Sequence, residues 1–163
     1  MIDITIKTDG SCVDNDLKDE NAIAKPGCAF VVYDDKTNMV IAKKAFRPVS
    51  DKPFTESRCE AMAILAAIEW LIEHKEYRAT IESDSKIIVD GIVGLARRRA
   101  NRDLWKQLES QIPRVADRIR KFSLIPRWEN RDADHIARVA ALAIHVGEDF
   151  EGIVPGGEES EEA

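Results

Sequence analysis

Four carboxylates stand where chemistry could be done: Asp9, Glu60, Asp84 and Asp134. Asp9 follows the alternating run Ile4-Thr5-Ile6-Lys7-Thr8 and precedes Gly10-Ser11. Asp, Gly and Ser are the residues turns prefer, so a plain turn is the ordinary reading of that stretch. Asp84 stands between a strand-like and a helix-like run, where an acid makes a good N-cap. Glu60 has no such everyday role. On a helix, positions 60, 63, 64, 67 and 71 share a face, and here that face reads Glu, Ala, Ile, Ala, Leu. A carboxylate on a core-facing stripe is costly unless something pairs with it, and no base stands on the stripe. Asp134 shares a face with Ala137 and Ala141, with Arg138 as its possible partner.

Carboxylates that converge repel one another, and one of them protonates unless a cation is present. Hard oxygen ligands suit Mg²⁺ or Mn²⁺. Two such ions about 3.5–4 Å apart can activate a water and stabilise a leaving oxygen at phosphorus. The acids therefore read as a carboxylate metal site serving phosphoryl chemistry.

The elements that must position them follow from periodicity. Alternation predicts strands over 2–8, 27–35 (GCAFVVYDD) and 39–46 (MVIAKKAF), with a hairpin turn over 34–38. A long helical pattern runs from Thr55 to about His74. A fourth strand is expected over 78–84, then a helix from Ser83-Asp84-Ser85 through about Arg98. Another helix is expected over 102–121, kinked or broken at Pro113, then a strand over 122–126 (FSLIP) and a last helix over 130–147. Asp9 and Asp84 thus fall at strand ends, where sites form in α/β sheets. A three-strand meander followed by alternating strands and helices is an α/β pattern: one mixed sheet covered by helices.

Composition sets the frame. The chain has 163 residues, 44% hydrophobic and 33% charged, which fits one soluble globular domain. No apolar run is long enough to cross a bilayer, and the chain opens directly into a strand with no secretory signal. Cys12, Cys28 and Cys59 are scattered, without a CxxC pair, so a structural zinc site is not expected. A reducing, cytoplasmic setting is the default. The net charge of −6 comes largely from residues 148–163, EDFEGIVPGGEESEEA, with seven acids and no Lys or Arg. Without them, 23 acids face 24 bases, so the overall charge does not exclude a nucleic-acid partner. The domain is expected over 1–147, and 148–163 reads as an acidic, disordered tail. Bases cluster at Arg97, Arg98, Arg99 and Arg102, and again at Arg114, Arg118, Arg120 and Lys121. They are either a solvated helix face or a phosphate-contacting one.

Five stretches carry a family resemblance: TDGSC (8–12), TESRCEAMAILAAIEWL (55–71), IESDSKIIVDGI (81–92), NRDLWKQLE (101–109) and NRDADHIARVAA (130–141). Their types and order resemble type 1 ribonuclease H. The resemblance implies a single-domain ribonuclease H-like fold, a five-stranded mixed sheet in order 3-2-1-4-5 flanked by helices. It implies a monomeric endonuclease that cuts the RNA strand of an RNA–DNA hybrid with two Mg²⁺ ions, Mn²⁺ being a possible substitute. The products would be 3′-hydroxyl and 5′-phosphate ends. By position, Asp9 would bridge both metals and Asp134 would join it on the first. Glu60 and Asp84 would serve the second, with Glu60 close to the RNA 2′-hydroxyl. Thr55 and Asn101 match residues that hold a DNA-strand phosphate, and Ser85 a residue beside the RNA. Ser57 and Asn130 complete the expected substrate contacts, and Asp132 is a decoy facing elsewhere.

The chain also departs from the family. Glu56 and Ser57 replace two asparagines that reach the minor groove. Leu95 replaces an aromatic that packs on DNA sugars, and the long basic protrusion is reduced to RRRAN. VDNDLKDENAIAKPGC replaces a compact Gly-rich turn. No histidine stands in the segment just before the last helix, leaving Arg127 or Glu129 to assist product release. These changes touch affinity and preference rather than metal chemistry. Two other readings stay open: a nuclease of this fold preferring double-stranded RNA, and a non-catalytic nucleic-acid-binding domain.

Overall fold

The computed structural model describes residues 1–13, 25–94 and 100–142. The expected tail, the end of the last helix and Arg97 to Arg99 lie outside these described residues. Five strands, β1 (Ile2–Val13), β2 (Lys25–Asp34), β3 (Val40–Phe46), β4 (Tyr77–Ser83) and β5 (Ile119–Leu124), form one sheet in order β3-β2-β1-β4-β5. The meander β1-β2-β3 is antiparallel, whereas β4 runs parallel to both β1 and β5. Helices α1 (Glu56–Glu73), α2 (Lys86–Val93), α3 (Arg102–Gln111) and α4 (Arg131–Ala141) flank it. The expected order and the mixed α/β architecture are what the structure has.

The core explains the arrangement. Ile4, Ile6, Phe30, Val32 and Ile81 present one sheet face to Ile64, Ile68 and Leu71 of α1, all at most 1% exposed. Ala63 and Ala67 of the same stripe are fully buried, as the sequence requires. Burying such side chains contributes about 1.5–3 kcal/mol each. Thr55 caps α1, its hydroxyl accepting from the Arg58 amide at 3.2 Å.

Two glycines bring helices against the strands. A Cβ on Gly10 would lie 2.2 Å from the backbone of Cys59 and Glu60. One on Gly27, beside Ser11 in the neighbouring strand, would lie 1.9 Å from the Ala137 carbonyl of α4. So α1 and α4 clamp the same part of the sheet from opposite faces.

Three expectations need correction. β1 does not stop at Thr8 but continues through Asp9-Gly10-Ser11 to Val13, because the β2 ladder satisfies those backbone groups. The helix expected over 102–121 ends at Gln111 and gives way to 3₁₀ turns around Pro113, so β5 begins at Ile119. Proline lacks the amide a continuing helix would use. The N-cap position of α2 falls on Ser85, not Asp84, and Gly94 ends that helix in the left-handed region at φ 82°.

Of the second basic cluster, Arg118 is a fold residue. It is 7% exposed and donates to the carbonyls of Leu71, His74 and Tyr77 at 2.7–3.0 Å, satisfying the end of α1 and the start of β4. Arg120 pairs with Asp3 and Asp35 at 3.3 and 3.4 Å.

Candidate active site

Asp9 lies where β1 loses one neighbour. The parallel ladder with β4 ends at Thr8 opposite Ser83, while the antiparallel ladder with β2 continues. Asp84 follows directly from Ser83, so the last paired residues of two adjacent strands each hand on to an acid. The missing Cβ of Gly10 lets the α1 backbone close in, and Glu60 comes with it. Carboxylate oxygens of Asp9, Glu60 and Asp84 all lie within 4.8 Å of one another. Asp134 stands outside that group, but approaches from α4 closely enough to act on the Asp9 carboxyl. Arg138 donates to Asp134 at 3.2 Å, the pairing the helical spacing suggested.

The electrostatics follow from this crowding. Burial, the approach of Asp134 and the charges of Asp84, Asp134 and Glu60 hold the Asp9 carboxyl well above the usual carboxylate range. Burial pushes Glu60 up to about 7, against Ser85, which favours its ionised form. Acids this close are held together at a cost that a divalent cation would remove. Their all-oxygen donor set fits Mg²⁺ or Mn²⁺.

Around the acids, Ser85 is buried against Glu60. Asn130 is fully buried, and its amide donates to the Thr8 carbonyl at 2.8 Å. Asp132 points elsewhere: it accepts from the Tyr33 hydroxyl at 2.6 Å. It lines a polar cavity of about 420 Å³ with Lys7, Glu82 and Glu129.

Thr55, Ser57 and Asn101 come together at the start of α1. The hydroxyls of Thr55 and Ser57 are 3.3 Å apart, and the Asn101 amide donates to Ser57 at 3.4 Å. Asn101 adopts φ 59°, a left-handed conformation that Asn tolerates. Sequence reasoning missed what holds this cluster. Arg58, only 4% exposed, grips Asp103 with both terminal nitrogens and reaches Asn101 at 3.4 Å. A base directly before Cys59, at the start of the apolar helical run, was the available signal. Glu56 is exposed, with Arg127 at 3.8 Å. Leu95 lies outside the described residues.

The three cysteines, far apart in sequence, also converge. Cys28 and Cys59 are fully buried with Ala63, and Cys12 packs beside them as a third free thiol. Burial raises the Cys28 pKa strongly, which disfavours its thiolate.

A strand-borne acid meets acids from two helices and a neighbouring strand end, on the ribonuclease H fold that similar solved structures share. The family model described as reverse transcriptase-like matches residues 9–140, and the chain belongs to that family. Among solved structures, the N-terminal RNase H domain of rv2228c from Mycobacterium tuberculosis aligns at TM-score 0.69 with 20% identity, over 86% of this chain and 99% of that one. LC11-RNase H1, solved in complex with an RNA/DNA hybrid, aligns at 0.66 with 21% identity, over 85% and 96%. RNase H1 from the halophilic archaeon Halobacterium salinarum aligns at 0.67 with 16% identity, over 85% and 96%. Comparison with the curated proteins gives no match.

Proposed function

We propose that the protein is a metal-dependent endonuclease that hydrolyses the RNA strand of RNA–DNA hybrids, leaving 3′-hydroxyl and 5′-phosphate ends. The observation that carries this reading is the convergence of Asp9, Glu60 and Asp84 within 4.8 Å, with Asp134 acting on Asp9 from α4. Asp9, Glu60, Asp84 and Asp134 would hold two Mg²⁺ ions, with Mn²⁺ as a possible substitute. When bound, such a pair supplies an activated water and charge neutralisation at the leaving oxygen.

The chain's own residues do the rest. Gly10 sets how close Glu60 stands to Asp9. Ser85, itself buried, favours the ionised form of the Glu60 carboxyl. Thr55, Ser57 and Asn101 offer two hydroxyls and an amide to a phosphate of the uncut strand, which fixes register without reading sequence. Asn130 holds the start of α4 against β1. Among the described residues no helix is long and apolar enough to cross a membrane. The reading is of a monomer acting in the cytoplasm.

The test is cleavage of a labelled RNA–DNA hybrid, duplex RNA and duplex DNA side by side, with Mg²⁺ and with chelator. The RNA strand of the hybrid should be cut only with metal, and the product should carry a 5′-phosphate. Failure to cut the hybrid overturns the proposal.

A further inference from the structure

The chain has three tryptophans, and they divide sharply. Trp70 and Trp105 are 7% and 6% exposed and belong to the core. Trp128 is 67% exposed. A large aromatic surface left in water has a hydration cost, and such side chains are enriched where a partner covers them.

Its position is fixed by the turn that carries it. Residues Arg127–Glu129 form a single 3₁₀ turn between β5 and α4. The Ile125 amide donates to the Ser83 carbonyl at 2.9 Å, and Ser83 precedes Asp84. At the other end, the buried Asn130 amide donates to the Thr8 carbonyl at 2.8 Å, and Thr8 precedes Asp9. Both ends of the turn are therefore tied to residues adjacent to site acids. Within it, the Glu129 and Asn130 amides donate to the carbonyls of Pro126 and Arg127 at 3.0 Å, and Lys7 donates to the Glu129 carbonyl at 2.9 Å. Arg127 reaches toward Glu56 on α1, and its charge acts on Glu60. Trp128 thus stands in water on a turn tied at both ends to residues that adjoin Asp9 and Asp84, at the carboxyl ends of β1 and β4.

We infer that Trp128 packs flat on a nucleotide of the strand being cut, beside the reacting phosphate. This rests on the nuclease reading above. The cut strand is the right one because the turn is pinned next to Asp9 and Asp84. The Thr55–Ser57–Asn101 cluster assigned to the other strand is built from α1 and the start of α3. Every base and sugar has an apolar face, so this contact adds affinity without sequence preference, as stacking platforms do. It also supplies an aromatic surface from the β5–α4 side, in a chain with leucine at position 95.

The tryptophans supply their own probe. With the other two buried, quenching of fluorescence by a short RNA–DNA hybrid reports Trp128. The titration uses the full chain carrying Asp9→Asn, in chelator, so that nothing is cut. Emission should fall and shift to the blue on binding, and Trp128→Phe should abolish that change while binding close to normally by fluorescence anisotropy. In the active enzyme, Trp128→Ala should raise KM about fivefold or more with kcat within about twofold, and Trp128→Phe should restore most of the loss. An exposed side chain with a merely structural role would not produce that split. Unchanged emission on saturation, or a Trp128→Ala KM equal to wild type in an enzyme that cuts the hybrid, overturns the inference and leaves the nuclease reading standing. A wild-type protein that does not cut the hybrid overturns the nuclease reading, and this inference with it.

Discussion

The Arg58 guanidinium holds both carboxylate oxygens of Asp103, at 3.0 and 2.8 Å, joining α1 to the first turn of α3. This fork keeps Asn101 beside Thr55 and Ser57, and it holds the Asp103 carboxyl far below the usual carboxylate range. Asp103→Asn should cost about 1.5–3 kcal/mol, since it leaves a buried guanidinium short of its acceptor. Because the folded pKa is depressed, this contribution is present above the ordinary Asp value near 4 and fades as pH falls below it. Urea unfolding of wild type and variant at pH 7 and pH 3 checks this. The gap between them should narrow at acid pH.

Asp9→Asn should abolish cleavage and raise the melting temperature in chelator. Without metal, burial and three neighbouring carboxylates force the Asp9 carboxyl to keep its proton, with its pKa pushed up to about 9, and a neutral amide avoids that cost. Added Mg²⁺ should raise the wild-type melting temperature and do much less for the variant. Thermal melts with and without metal, beside a cleavage assay, test both halves. A variant that cuts at the wild-type rate would end the metal-site reading.

Asp134→Asn should lower the rate by several orders of magnitude, whereas Asp132→Asn should leave kcat nearly unchanged. The two side chains serve different places, one acting on Asp9 and accepting from Arg138, the other accepting from the Tyr33 hydroxyl. Losing the Tyr33 bond should cost about 1 kcal/mol of stability. Single-turnover rates and denaturation curves of both variants separate the roles.

Glu56→Asn should lower KM for the hybrid several-fold with little change in kcat. Glu56 is an exposed acid near the cleft, and Arg127, at 3.8 Å, would be freed for phosphate. Steady-state kinetics at fixed salt on hybrid and duplex RNA are the measurement. A raised KM would mean the pair itself supports binding.

The strands and helices were legible because alternation and the Ala-Leu-Ile stripe of α1 are strong periodic signals, whereas the sheet order came only from the family resemblance. Glu60 was legible as a misfit on that stripe. Asp9 was legible as an acid but not as a mid-strand residue, because Asp-Gly-Ser favours a turn locally and only pairing with β2 overrides it. The break after Gln111 was half visible in Pro113, but its effect on where β5 begins was not. Arg118 read as one base in a surface cluster, since the carbonyls it satisfies lie at the end of α1 and the start of β4, more than forty residues away. The meeting of Cys12, Cys28 and Cys59 was invisible for the same reason: it depends on register between strands and a helix.

The closeness of α1 and α4 to the sheet has a consequence for how sequence change is read. Where Gly10 meets Cys59–Glu60 and Gly27 meets Ala137, the spacing is set by peptide groups touching peptide groups. Trimming a core side chain, as in Ile64→Val, leaves those distances to the backbone and costs stability without retuning the acids. A single methyl at position 10 does the reverse, because it wedges Glu60 away from Asp9. In a library of random variants, Gly10 would therefore score as intolerant as the carboxylates while touching no substrate and donating no proton. Intolerance at such a position measures the thickness of a backbone contact, and it should not be read as a chemical role.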